Sequence, residues 1–149
     1  MLKRMFDIVE PEIVVFGMKD FQQFVLVKDF IKNNDLNIQI IGGQIIREAN
    51  GLALSSRNNL LSKESREKAS ILYKVLKDIE TNKASISSDL LKSKINYLNT
   101  HGFKVDYLSS CEEESFEECF NIFNKNLLVA VAATIDNVRL IDNIVLTKL

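Results

Sequence analysis

The chain is short of the residues on which several chemistries depend. His101 is its only histidine, which excludes a Ser-His-Asp triad beyond that one imidazole and any multi-histidine metal centre. Its two cysteines, Cys111 and Cys119, stand eight positions apart and fit no zinc or redox spacing, so they read as reduced thiols of a cytoplasmic protein. No apolar run approaches the length of a membrane span. Met1-Leu2-Lys3-Arg4 is basic, but no long apolar stretch follows it as a secretory signal would require. The net charge of -1 leaves no electrostatic footprint for nucleic acid. Neither a G-x-x-x-x-G-K-[ST] loop nor a G-x-G-x-x-G turn occurs, and there is no internal repeat or low-complexity tract.

What is present is ordinary for a globular chain: 149 residues, 46% hydrophobic and 26% charged, enough for one domain or two very small ones. Ile13-Val14-Val15-Phe16 is a continuous apolar run ended by Gly17, the pattern of a strand buried on both faces. A helix is expected from Asp20 to Asn34, with Asp20 as cap and Gln23 completing a capping box, and with Phe24, Val27 and Ile31 on one face. Ile38 to Ile41 gives a second strand before Gly42-Gly43. Together these make a βαβ unit of right-handed crossover.

Beyond residue 57 the pattern changes. Ser62 is expected to cap a helix with Ala69, Leu72, Tyr73, Leu76 and Ile79 as its stripe. Thr81 to Ser88 reads as a linker, and a second helix carries Leu91, Ile95 and Leu98 up to Gly102. Phe103, Val105 and Tyr107 alternate with polar residues as in a half-buried strand. Glu112 to Glu118 reads as a solvated helix start. Leu127 to Ala133 and Val138 to Ile144 read as a hairpin closed by Asp136-Asn137. The expected fold class is therefore α/β plus α+β. A partial Rossmann-type βαβ piece over 1–57 precedes a small α+β domain with an antiparallel sheet over 58–149. Two parallel strands need neighbours, so the start at Met1 reads as a cut through a larger fold.

Two clusters carry chemistry. Gly17-Met18-Lys19-Asp20 falls where the first strand gives way to a helix, the edge at which open α/β sheets bind ligands. A cation at a helix N-terminus opposes the dipole, so Lys19 makes sense beside an anion; Asp20 and Gln23 are equally explained as caps. The second cluster is Ser55-Ser56-Arg57, two hydroxyls and a planar guanidinium fork just after Gly51. It reads as a phosphate clamp on a loop or as a turn before a capped helix, and the residues alone weigh the two equally. Arg139 and Asp142 flank the last strand, to pair with each other or with the other half.

Phe16-Gly17-Met18-Lys19-Asp20-Phe21-Gln22-Gln23 resembles the F-G-x-K-D-x-Q-Q segment of the pantoate–β-alanine ligase family. Arg47-Glu48-Ala49-Asn50-Gly51-Leu52-Ala53-Leu54-Ser55-Ser56-Arg57-Asn58 resembles its R-E-x-D-G-L-A-x-S-S-R-N segment. Val105-Asp106-Tyr107 and Arg139-Leu140-Ile141-Asp142-Asn143 match two later landmarks in order. The resemblance implies a nucleotidyltransferase-like enzyme that joins pantoate to β-alanine through a pantoyl adenylate, using ATP with Mg2+. It implies that Gly17, Met18, Lys19, Asp20, Ile46, Leu54, Ser55, Ser56 and Arg57 contact ATP and that Gln23 holds pantoate. Met18, Gln44, Asn50 and Asp136-Asn137 depart from the family pattern. The family's H-x-G-H segment has no counterpart in these residues, so no catalytic or metal-binding residue is assigned and the chain is expected to be inactive alone. A homodimer, or association with the segment that carries those histidines, is the implied assembly. The competing readings are a non-catalytic nucleotide-binding module and a purely structural or interaction domain.

Overall fold

β-Branched residues, which fit a pleated strand, form Ile13–Gly17 (β1) and Gln39–Gly43 (β2). The two pair in parallel, Ile13 opposite Gln39 and Gly17 opposite Gly43. The crossover is the helix Phe21–Asn33 (α2). A helix not expected from the sequence, Leu2–Val9 (α1), precedes β1 and buries Phe6, whose ring centroid lies 6.2 Å from that of Phe30. The computed structural model describes residues 2–149. They divide into two compact units, one ending at Ile45 and the other spanning Ile46–Leu149.

The core of the first unit is Phe6, Val27 and Ile31, with Val14, Phe16 and Ile40 packed against it. That covers one face of the sheet. The other face carries Ile13, Val15 and Ile41, which are 52%, 66% and 42% exposed. Burial of β1 on both faces is thus corrected to burial on one. The pleat sends alternate side chains to opposite sides, and both helices of the unit pack on the same side.

The second unit begins with a small hairpin. Leu54 N–H donates to Ile46 O and Glu48 N–H to Leu52 O, each at 2.8 Å, around a turn in which Gly51 has φ +94°. Ser62 caps the next helix as expected, its Oγ accepting from Ser65 N–H at 3.2 Å. The expected single helix is two, Lys63–Ala69 (α3) and Ile71–Thr81 (α4), separated at Ser70, whose hydroxyl donates back to Glu67 O. Ser87 caps Ser88–Thr100 (α5), and Gly102 ends it at φ +89°.

Three antiparallel strands follow in the order Lys104–Glu112 (β3), Leu127–Ile135 (β4), Val138–Leu146 (β5). Asp136 and Asn137, at φ 53° and 58°, make the tight turn expected of them. One face of β4, with Leu127, Val129, Val131, Ala133 and Ile135, joins Leu72, Leu76, Ile79 and Leu98 in the core.

Two expectations fail in and just after β3. Val105 pairs with Ala133, but Tyr107 pairs with Ala132. Asp106 is therefore an extra residue, a bulge that resets the alternation. Leu108 and Ser110 turn inward and Tyr107 turns out. Glu112 to Glu118 is not a helix start. It is a turn that brings Glu118 back opposite Cys111, with Phe116 at φ 58°. Its acidic residues serve local bonds: Glu112 accepts from Ser115 Oγ and Lys125 Nζ, both at 2.8 Å.

Candidate functional site

In the first unit the expected ligand residues gather at the carboxyl ends of β1 and β2. Gly17 is exposed, and a Cβ added there would meet nothing within 4 Å. Met18–Asp20 forms a 3-10 turn of its own before α2. Met18 reaches over β2, where a side chain on Gly42 would fall 2.5 Å from its Sδ. Lys19 is half-buried, while Asp20 and Gln23 are exposed. The expected capping box is absent: Asp20 makes no side-chain cap bond, and its φ -93° and ψ 66° differ from the extended geometry of a cap. The preceding 3-10 turn imposes that geometry. Asp20 and Gln23 are thus not explained as helix caps.

In the second unit most of the long motif is structural. Arg47 donates from both terminal nitrogens to Asp142, at 2.6 and 2.9 Å, and also to Gly51 O at 3.1 Å. Its guanidinium lies 3.7 Å from the centroid of the Tyr73 ring. Glu48 accepts two bonds from Arg66 at 2.9 Å and one from Asn58 Nδ2 at 2.7 Å. Asn50 Oδ1 accepts from Leu52 N–H at 3.0 Å; the aspartate it replaces would use the same oxygen, so the departure costs nothing in the turn. Gly51 carries both a left-handed backbone and a close neighbour, since a Cβ there would lie 2.6 Å from Tyr73 Cδ1. Gly51→Ala is expected to destabilise the unit by about 1–3 kcal/mol, measured by urea unfolding.

The residues left over are Leu54, Ser55, Ser56 and Arg57. Leu54 and Arg57 are exposed. Ser55 Oγ accepts from Arg57 N–H at 3.3 Å, and the side chains of Ser56 and Arg57 have no hydrogen bond or ion pair among the described residues. Ile46 is exposed, and its carbonyl is engaged by Leu54. The turn expected of the cluster is present. It is a capped 3-10 turn, Ser56–Leu60, and it presents an uncommitted guanidinium.

The Arg66 guanidinium, followed in effect by burial in the opposite sense and by Asn58, holds the Glu48 carboxyl below its ordinary value. Its contribution to stability is therefore complete near neutrality. It declines once the pH falls past about 4.3, the ordinary glutamate pKa, and is gone below the lowered one. Glu48→Gln is expected to flatten that limb of the acid unfolding curve, followed by circular dichroism. Asp136 is lowered likewise, by the Ser62 backbone N–H at 3.0 Å.

The partners of the late landmarks are settled. Asp142 pairs with Arg47, while Arg139 donates from Nε to Asp106 at 2.7 Å. Arg47, Glu48 and Asn58 were not expected as a network; a charged pair followed by an amide in one motif was the only local signal. Cys111 and Cys119 are free thiols, and burial raises Cys111. His101 stands at the C-terminal cap of α5, its ring centroid 4.1 Å from that of Tyr97. Among the described residues no group of three His, Cys, Asp or Glu could hold a metal ion, and no helix is long and apolar enough to cross a membrane.

Fold and site place the chain among the α/β proteins whose polar groups collect at the carboxyl edge of a parallel sheet. The family model for pantoate-beta-alanine ligase matches residues 1–145, and the chain belongs to that family. It is 41% identical over 146 residues to a pantoate-beta-alanine ligase of Oryza sativa subsp. japonica, covering 96% of this chain and 46% of that protein. A pantothenate synthetase of Coprothermobacter proteolyticus is 38% identical over 148 residues, covering 96% and 52%. Among solved structures, a pantothenate synthetase from Thermus thermophilus matches with a TM-score of 0.86 at 29% identity, covering 98% of this chain and 54% of that one. A Francisella tularensis pantoate-beta-alanine ligase, complexed with Beta-gamma ATP and beta-alanine, matches at 0.70 and 30% identity, covering 96% and 47%. The chain spans about half the length of these relatives.

Proposed function

We propose that this chain carries part of the ATP and pantoate site of a ligase that makes pantothenate. In that reaction the pantoate carboxylate attacks the α-phosphorus of ATP. An O–P bond forms, pyrophosphate leaves, and pantoyl adenylate results. The amine of β-alanine then attacks the acyl carbon, and AMP leaves with the electron pair of the broken C–O bond. Magnesium travels with the phosphates of the substrate. The protein's part is alignment and charge neutralisation. Lys19 supplies a full charge, with Gly17, Met18 and Asp20 beside it. Ser55 and Ser56 donate single hydrogen bonds, and Arg57 donates a planar fork. Gln23 donates to pantoate. Ile46 and Leu54 contact the nucleotide.

The observation that carries this reading is the division of labour in residues 47–58. Arg47, Glu48, Asn50, Gly51 and Asn58 are consumed by structure, while the Arg57 side chain is presented without a partner among the described residues. Two free thiols suit a reducing compartment, hence the cytoplasm. The exposed Ile13, Val15 and Ile41 face suits association with the portion of its relatives that the chain does not match, or with a second copy. In an enzyme completed with that portion, Arg57→Lys keeps the charge and loses the fork. It is expected to slow pyrophosphate release by about tenfold or more, with an unchanged melting curve. Wild-type rates would remove Arg57 from the phosphate site.

A further inference from the structure

We propose that Asn58 is a positioning residue: its side-chain amide staples the base of the Leu54–Arg57 loop, so that the loop is shaped before nucleotide arrives. This rests on the reading of Ser55, Ser56 and Arg57 as phosphate-binding.

The loop lies between two buried anchors, Ala53 at 3% exposure and Asn58 at 1%. One hydrogen bond joins them directly, from Asn58 Nδ2 to Ala53 O at 3.1 Å. The same nitrogen donates to Glu48 Oε1 at 2.7 Å, and Glu48 is gripped in turn by Arg66 of α3. Both bonds come from the donor half of the amide. Oδ1 is buried and has no partner, so a carboxylate of the same shape in its place would lose both bonds the side chain makes. It would also set a second negative charge against Glu48. The backbone repeats the closure on a smaller scale: Asn58 N–H donates to Ser55 O at 3.1 Å, and Leu54 N–H donates to Ile46 O at 2.8 Å. A loop tied at both ends to buried groups has its ordering entropy met on folding, not on binding, and that is what makes oriented donors effective.

The test uses the whole chain and cleavage by trypsin after Arg57, read by mass from the fragment that begins at Asn58. Hydrogen exchange of the β4 amides serves as the internal reference for global unfolding. Asn58→Asp is expected to raise cleavage by tenfold or more, with β4 exchange changed far less. Glu48→Ala leaves Asn58 in place but removes one acceptor, and is expected to raise cleavage severalfold. Glu48→Gln retains an oxygen acceptor and is expected to stay within about twofold of wild type. Unchanged cleavage in Asn58→Asp, or a rise matched by an equal rise at β4, would overturn the proposal. If Asn58→Asp does not fold, equal cleavage in Glu48→Ala and Glu48→Gln overturns it instead. MgATP added to the wild-type chain together with the portion of a relative that it does not match separates the two claims. Slower cleavage supports the phosphate-site reading, whereas no effect alongside the expected variant pattern refutes that reading and leaves the staple standing.

Discussion

Purified alone, the 149-residue chain is expected to form no pantothenate from pantoate, β-alanine and ATP, and turnover is expected to return when the portion of a relative that it does not match is supplied. Charge that develops at the α-phosphate must be met by fixed donors, and removing one such donor typically costs on the order of a hundredfold to a thousandfold. On the proposed reading, the cations that this chain brings to phosphate are Lys19 and Arg57. His101 caps the end of α5, its Nδ1 2.7 Å from Tyr97 O. Product measured by mass spectrometry decides the matter. Robust turnover dependent on both ATP and β-alanine, from the isolated chain, would show that these residues suffice.

Asp142→Ala is expected to be the most damaging single substitution for stability, by about 3–5 kcal/mol, the usual result of leaving one partner of a buried pair uncompensated. The side chains of Arg47 and Asp142 are only 18% and 3% exposed. Asp142 also accepts from the Asn143 N–H at 2.8 Å. Removing it strands a guanidinium that is already packed on Tyr73. Replacing both partners together, Arg47→Met with Asp142→Leu, is expected to cost much less than Asp142→Ala, since no charge is then left buried. Urea unfolding of the three proteins measures this. Equal losses in Asp142→Ala and the double variant would mean that the pair acts through shape, not charge.

Much of this architecture is legible in the residues, for local reasons. Ser62, Gly102 and the Asp136-Asn137 turn act through neighbouring backbone, and each is where it is expected. The family motifs are legible for the same reason, being contiguous. What escapes notice depends on distant partners. Arg47 finds Asp142 across 95 positions, a pairing that nothing in the contiguous motif announces. The helix Leu2–Val9 has no capping residue to announce it and is fixed by packing of Phe6. Asp20 and Gln23 have the spacing of a capping box, but Met18–Asp20 winds into a 3-10 turn first. Nor does an uninterrupted apolar run say whether one face of β1 or both are covered. The acidic stretch after Glu112 has helical composition, and its bonds to Lys125 and Ser115 close a turn instead.

The bulge at Asp106 gives β3 a single residue of slack. Val105 and Tyr107 already face adjacent partners on β4, Ala133 and Ala132. A chain shortened by one at position 106 would keep every pairing on either side and forfeit only the Arg139 bond. The same deletion anywhere from Leu108 to Cys111 would drag the preceding residues across the pleat. Position 106 is therefore the one place in this strand at which a residue can be lost without refolding the sheet.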